Sequence, residues 1–306
     1  MRVVVTGGAG FIGSHVADAF VARGDEVLVI DDLSTGTEDN VPERAEFERI
    51  DIVDADALGS TFSTFSPKLV CHLAAQASVV VSVERPDHDL DVNVRGTFNV
   101  CEAARRSGVP VVFSSTGGAI YGDGAPLPTP EDYPPQPLSP YGASKLAAEG
   151  YVATWGRLQG LANVVLRLAN VYGPRQDAHG EAGVVAIFID HLLRNEPPPL
   201  RGEGKPTRDY VHVTDVARAF VAAAEGRRAG TFNVGTGRPT STAKVLALLQ
   251  EAAGTKIEPS REPLRPGELQ ASAVDVTRIE QELDWRPEIE LAKGLRGTFD
   301  WYRKQR

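Results

Sequence analysis

Near its start the chain reads Val3-Val4-Val5-Thr6-Gly7-Gly8-Ala9-Gly10-Phe11-Ile12-Gly13-Ser14, and few stretches leave a fold less freedom. Three β-branched apolar residues predict a short buried strand, and an apolar period through Val16, Ala19, Phe20 and Val21 predicts a helix directly behind it. Each glycine between them has its own reason. Gly7 permits a tight turn, Gly10 lets backbone approach a pyrophosphate, and Gly13 lets the helix pack close to the strand. The helix start, with Phe11 and Ile12 in its first turn, then offers its N–H groups and dipole to the phosphates. A second strand, Glu26-Val27-Leu28-Val29-Ile30, ends in Asp31. An acid there accepts a hydrogen bond from a ribose 2′-OH and repels a 2′-phosphate, which favours NAD over NADP.

Strand and helix signals alternate through the first half, the pattern of a parallel sheet with helices on both faces. Residues 34–44 are polar and read as loop; 47–52 read as a third strand whose last residues, Asp51 and Ile52, either frame an adenine ring or only end the strand. The fourth strand, 69–75, runs into the small residues Leu73-Ala74-Ala75, which leave room for a ligand at a carboxyl strand end. Asn93 is expected to open a helix, and 110–115 form the fifth strand. A Pro-rich loop spans 126–140, a long helix runs from Tyr141 to about Leu158, and 164–168 form the sixth strand. From Gly173 the strict alternation fails. The expected architecture is α/β: a Rossmann-type doubly wound parallel sheet with a smaller, discontinuous α/β substrate lobe. Residues 1–173 plus about 208–237 would bind NAD, and about 174–207 plus 238–306 the substrate.

Length and charge narrow the class. The 306 residues suit two lobes of an enzyme, and a formal charge of −9 gives no general attraction to nucleic acid or an anionic membrane. An anionic substrate would therefore need locally placed arginines. Cys71 and Cys101 are too few for a disulfide framework, which points to a reducing cytoplasm. No signal peptide precedes the first strand and no apolar run reaches spanning length. His72, His179 and His212 lack metal-ligand spacing, so no metal is expected and all three read as structural.

Tyr141 and Lys145 lie one helical turn apart, on one helix face. A free phenol has a pKa of about 10, and bringing it to about 7 takes ~4 kcal/mol of preferential stabilisation of the phenolate. A lysine one turn away and a cationic nicotinamide ring together supply that, and Lys145 also reaches the nicotinamide ribose. Hydroxyls at Ser114, Ser115 and Thr116 end the preceding strand; any of them either shares a substrate proton with Tyr141 or caps the next segment.

Gly7 to Gly13, Asp31, Asp51-Ile52, His72-Leu73-Ala74-Ala75, Asn93, Tyr141 to Lys145 and Arg208-Asp209-Tyr210-Val211 together resemble the extended short-chain dehydrogenase/reductases. Within them, the stretches 115–122, 170–176 and 179–185, with Arg265-Pro266-Gly267-Glu268 and 283–287, resemble the UDP-hexose 4-epimerases over nearly the whole chain. The resemblance implies tightly held NAD, a UDP-sugar in the cleft and a transient 4-keto sugar. It implies NAD contacts at Leu73, Ala74, Ala75 and Asn93, and Tyr141 as base with Lys145 beside it. On the substrate side it implies Asn170 at the diphosphate, Arg208 and Arg265 clamping it, Tyr210 near the nucleotide ribose, and Val184 and Glu268 within matching stretches. Counting from Arg265, Ser272 falls at the residue that gates sugar size in the family. A homodimer formed through the helices that carry Val94, Phe98, Cys101, Leu146, Tyr151 and Trp155 is also implied. The family often carries Ser or Thr where this chain has Gly117, so the assisting hydroxyl falls to Thr116 or to Ser115. Related dehydratases and decarboxylases carry acids in the stretch where this chain has Gly117-Gly118-Ala119, which argues against their chemistries. The rivals are a UDP-glucuronate 4-epimerase and a non-catalytic NAD-binding regulator.

Overall fold

The computed structural model describes residues 1–177, 183–264 and 269–306. A seven-stranded parallel sheet forms its centre. The strands are β1 (Arg2–Thr6), β2 (Glu26–Asp31), β3 (Glu46–Arg49), β4 (Leu69–His72), β5 (Val111–Thr116), β6 (Val164–Leu168) and, from far along the chain, β10 (Gly230–Val234). Their spatial order is β3-β2-β1-β4-β5-β6-β10, so the order reverses between β1 and β4. Ligands of such sheets bind outside the carboxyl ends at that reversal. The turn from Gly7 and the loop from Leu73 both leave the sheet there.

The run of valines in β1 is explained by burial on both faces. Val3 and Val5 enter one core with Val16, Phe20, Phe220 and Trp285, while Val4 enters the other with Phe62, Val100 and Val152. The first face is covered by α1 (Phe11–Ala22) and α8 (Val213–Gly226). The second is covered by α2 (Ala55–Phe65), α5 (Thr97–Ser107) and α6 (Pro140–Gln159). Before α5 lie α3 (Val79–Glu84) and α4 (Pro86–Leu90), and a wide π-type turn, Asp91–Gly96, joins α4 to α5. Asn93 therefore does not open a helix. It sits in the middle of a helical run that began at Pro86, at a wide turn of the kind that clusters at functional sites.

A third core gathers Tyr172, Phe188, Ile189, Leu249, Leu295 and Phe299. Its helices are α7 (Val184–Arg194), α9 (Thr242–Ala253) and α11 (Leu291–Lys304), and α10 (Thr277–Leu283) packs instead on the large sheet. Two small sheets complete this side. In one, β9 (Thr207–His212) lies between β7 (Asn170–Tyr172), parallel, and β11 (Pro239–Ser241), antiparallel. In the other, β8 (Pro199–Arg201) pairs with β12 (Ser260–Glu262). Among the described residues no helix is long and apolar enough to cross a membrane.

Candidate active site

The glycine turn is as tight as its spacing requires. A Cβ on Gly13 would lie 2.0 Å from the Gly7 carbonyl oxygen, and one on Gly7, whose φ is +69°, would lie 2.5 Å from the Ala74 nitrogen. Gly10 caps α1 without a side-chain hydrogen bond, so the first turn, Phe11 and Ile12, keeps its donors for another acceptor. Asp31 closes the turn from the β2 side: Oδ2 accepts from Ala9 N at 3.0 Å and Oδ1 from Leu33 N at 2.9 Å. Burial pushes its carboxyl above the ordinary aspartate value, against those N–H donors. Asp51 accepts from Val53 N at 2.9 Å, and Ile52 is buried under Gly96.

Across the sheet, His72 is fixed by two threonines. Thr97 Oγ1 donates to the Asn93 carbonyl at 2.6 Å, so its contact with His72 Nε2 (2.9 Å) makes Nε2 the N–H and leaves Nδ1 to accept from Thr6 Oγ1 at 2.7 Å. Burial lowers its pKa to about 3, and the ring stays neutral. His72 is structural, as its spacing predicts. His212 pairs with Thr214 and caps α8, while His179 lies outside the described residues.

Asn93 is buried and saturated. Its Oδ1 accepts from Gln76 N at 3.0 Å, and its Nδ2 reaches Gln76 O, Asp89 Oδ1 and Ser144 Oγ at 2.9, 3.0 and 3.1 Å. It orders the loop that carries Leu73, Ala74 and Ala75, which are partly buried beside the glycine turn.

The long helix is set by its own start. Ser139 accepts from Gly142 N at 3.1 Å, and Pro140 occupies the first turn. A Cβ on Gly142 would lie 2.6 Å from the Ala119 carbonyl, so α6 packs hard against the loop leaving β5. That contact brings Tyr141 beside Thr116, whose hydroxyl favours the phenolate. Ser115 points away: its hydroxyl donates to Glu149 Oε1 at 2.5 Å, behind the sheet. The Lys145 ammonium donates to the Ser114 carbonyl at 2.9 Å rather than to the phenol and lies 4.8 Å from the Phe113 ring centre. Burial dominates both groups. It pushes Tyr141 up to about 12, partly offset by Thr116, and pulls Lys145 down to about 8, against the charges of Asp89 and Glu149.

A cleft of about 650 Å³ opens beside this pair. Its inner end reaches Gly118, where a Cβ would lie 3.5 Å from Asn170 Oδ1 and 4.0 Å from Thr116 Oγ1. Tyr141 and Lys145 stand just past that end rather than along the cleft walls. The outer walls include Asn170, Val184 at the start of α7, Arg208 and Tyr210. Asn170 Oδ1 and the Tyr210 hydroxyl are buried without a hydrogen-bond partner among the described residues. Ser272 lines a small recess that shares Gly118, Gly122 and Leu269 with the cleft. Arg265 and Glu268 lie outside the described residues. Among the described residues no cluster of His, Cys, Asp or Glu could hold a metal.

Three groups went unread in the sequence. Asp209, between Arg208 and Tyr210, accepts from Thr236 N, Gly237 N and Val274 N, pinning those loops behind β9. Glu149 and Arg167 form a buried bidentate pair at 2.9 and 2.7 Å. Asp89 takes both amides of Asn93 and Gln76. Only Asp89 had a signal, its place one turn before Asn93.

Residues 3–235 match the model of the NAD-dependent epimerase/dehydratase family. The chain belongs to that family. Its similarity to individual members runs the full length. It is 46% identical to a UDP-glucose 4-epimerase of Mycolicibacterium smegmatis, over 100% of this chain and 99% of that one. A Thermotoga maritima UDP-glucose 4-epimerase solved with UDP-glucose superposes with a TM-score of 0.96 at 45% identity, covering 100% and 99% of the two chains. A Thermus thermophilus UDP-glucose 4-epimerase solved with NAD gives 0.92 at 47%, covering 99% of each. The family's cofactor is NAD, and the residues present fit it. The turn has no room for a Cβ at Gly7 or Gly13, α1 begins uncapped, and a carboxylate closes the far side.

Proposed function

We propose that the protein is a UDP-hexose 4-epimerase that interconverts UDP-glucose and UDP-galactose, with the N-acetylhexosamine pair as further substrates. The observation that carries this reading is the Thr116–Tyr141 hydroxyl pair at the inner end of a cleft walled by Asn170, Arg208 and Tyr210. The relatives named for the same reaction support it.

In this reading Tyr141, as phenolate, takes the sugar 4-OH proton and later returns it. Thr116 assists it, because its hydroxyl lies beside the phenol and favours the phenolate. Ser115 takes no part, since Glu149 holds its hydroxyl. NAD, when bound at the glycine turn, would supply the redox chemistry at the sugar C4. Lys145 holds the nicotinamide ribose and keeps a positive charge near the phenol. Burial alone leaves Tyr141 protonated at neutral pH, so the phenolate depends on positive charge gathered around it. Asp31 accepts the adenosine ribose hydroxyl, Asp51 and Ile52 border the adenine, and the first turn of α1 meets the pyrophosphate. Asn170, Arg208 and Arg265 hold the substrate diphosphate, and Val184 at the start of α7 and Glu268 belong to the same substrate side. Tyr210 lies at the nucleotide ribose. The large sheet carries the cofactor, and the segments at about 174–207 and from 238 carry most of the sugar nucleotide.

We further infer a homodimer. Phe98 and Tyr151 stay 36% and 40% exposed although their rings meet at 5.7 Å, and Trp155 joins them. Cys101 belongs to the monomer core and adds nothing to this surface. A monomer mass by light scattering at micromolar concentration would refute the dimer. Two buried free thiols, Cys71 and Cys101, suit a reducing cytoplasm.

The test of function is to incubate the protein separately with UDP-glucose, UDP-N-acetylglucosamine and UDP-glucuronate and resolve the 4-epimers. Conversion of UDP-glucose is expected. Turnover of UDP-glucuronate alone would overturn the reading, as would no turnover of any.

A further inference from the structure

Lys145 is the costliest charge in the site. Its side chain belongs to a residue only 3% exposed, and the Ser114 carbonyl accepts its proton at 2.9 Å. A buried ammonium persists only with an anion near it; otherwise it neutralises. Two carboxylates act on it from beyond ion-pair distance. Glu149, one turn along α6, is held bidentate by Arg167 and also accepts from Ser115, so its charge is already matched. Asp89 on α4 is the opposite case. It is 1% exposed, and its donors are neutral amides, Gln76 Nε2 at 2.8 Å and Asn93 Nδ2 at 3.0 Å, both converging on Oδ1. The same Asn93 amide reaches Ser144, the residue before Lys145.

We propose that Asp89 is the counter-charge that keeps Lys145 an ammonium, and that Asn93 and Gln76 hold this carboxylate in place. Asp89 is thus a positioning residue: it acts through Lys145 and Tyr141. The inference rests on the reading of those two as the proton-handling pair.

The electrostatics agree. Burial draws Lys145 down to about 8, and the largest opposing influence is the Asp89 charge, ahead of Glu149. The same charge pushes Tyr141 upward, behind burial. The remaining groups around α6 add little negative charge. His72 on β4 is neutral, and Arg167 on β6 answers Glu149. Asp91 pairs with Arg95 and Glu102 with Arg105 on the outer side, while Glu84 on α3 is exposed. On the Asp89 helix itself, Asp87 and His88 lie toward solvent. Lys145 must keep its proton beside a cationic nicotinamide ring, a second reason for a buried anion.

Asp89→Asn tests this cleanly, because an amide oxygen can still accept from Gln76 and Asn93 while the charge is gone. The lost charge favoured the proton on both Tyr141 and Lys145. Both limbs of the pH profile for UDP-glucose epimerisation should therefore move to lower pH. The phenolate absorbance of Tyr141, taken as a difference from Tyr141→Phe in protein loaded with NAD and no sugar, should move the same way. Limbs and phenolate titration that stay in place would overturn the counter-charge. A wild type that turns over no UDP-hexose would overturn the functional reading instead, and the phenolate titration would still decide the present inference. Should Asp89→Asn fold poorly, Lys145→Met and the double variant supply a stability cycle. Removing both charges should recover much of the Tm lost to either one, and strictly additive losses would overturn the proposal.

Discussion

Two asparagines show how the cofactor side of the molecule differs from the substrate side. On the cofactor wall, Asn93 spends its whole side chain on Gln76, Asp89 and Ser144. On the substrate wall, Asn170 Oδ1 is buried with no partner among the described residues, as is the Tyr210 hydroxyl. Around Asn93 the first wall is therefore closed: its side-chain polar groups satisfy one another, and the donors left to a ligand are the backbone N–H groups at the start of α1. The second carries buried polar atoms whose desolvation is not repaid within the protein, the condition under which a polar ligand gains most from binding.

The largest effect should come where the walls meet. Tyr141→Phe keeps the ring that packs against Thr116 but removes the base, and should cost epimerisation ~10²–10⁴-fold with NAD content unchanged. Activity near wild type would remove Tyr141 from the mechanism and leave the comparison without a centre. Next is Gly13→Ala, which forces a Cβ to within 2.0 Å of the Gly7 carbonyl. Overpacking of this kind costs about 1–3 kcal/mol, so calorimetry should show a lower Tm and the purified protein should carry less NAD. A variant with native Tm and full NAD would mean that the cofactor wall is softer than described.

The asparagines themselves give the sharpest contrast. Asn93→Ala leaves the Gln76 backbone N–H and carbonyl without their partner and takes one of two amide donors from Asp89, and each buried group left unsatisfied costs about 1–3 kcal/mol, so thermal stability should fall clearly. Asn170→Ala has no Oδ1 bond among the described residues to lose, so Tm should hold while KM for UDP-glucose rises by about tenfold, the worth of a hydrogen bond donated by its Nδ2 to the charged diphosphate. Equal losses of Tm would erase the distinction between the walls. The smallest change is expected from Ser272→Tyr. Its recess adjoins the cleft through Gly118 and Leu269, so a tyrosine should hinder UDP-N-acetylglucosamine several-fold by exclusion and spare UDP-glucose. If competing-substrate assays show both falling together, Ser272 does not read the sugar.

The walls also differ in how far sequence discloses them. The glycine turn, Asp31 and the Tyr141–Lys145 turn are contiguous or helically spaced, and each demands a residue type that local geometry explains. The helix boundary at Asn93 was misjudged because a polar residue ahead of an apolar period imitates a cap; only tertiary contacts show it to be a hub inside a longer helical run. Glu149 and Arg167 gave no signal, for a charged residue in β6 pairs with one that looks like an ordinary helix surface. The substrate wall joins residues far apart in the chain, as when Asn170 sits beside Tyr210 in the β7–β9 ladder. No local pattern anticipates such a pairing, and those residues were named only through resemblance.

The edge position of β10 bears on how the chain is made. β6 is complete at Leu168, yet its outer neighbour spans Gly230–Val234, and Asn233 is then bound to the carbonyl of Asp275. While the chain emerges from a ribosome, the β6 edge has no parallel partner until more than sixty further residues have been synthesised, among them much of the substrate wall. The cofactor sheet thus reaches its full width late, after α7 and β9 have already appeared. An unpaired strand edge is exposed in the interval, a period in which newly made chains are prone to associate wrongly.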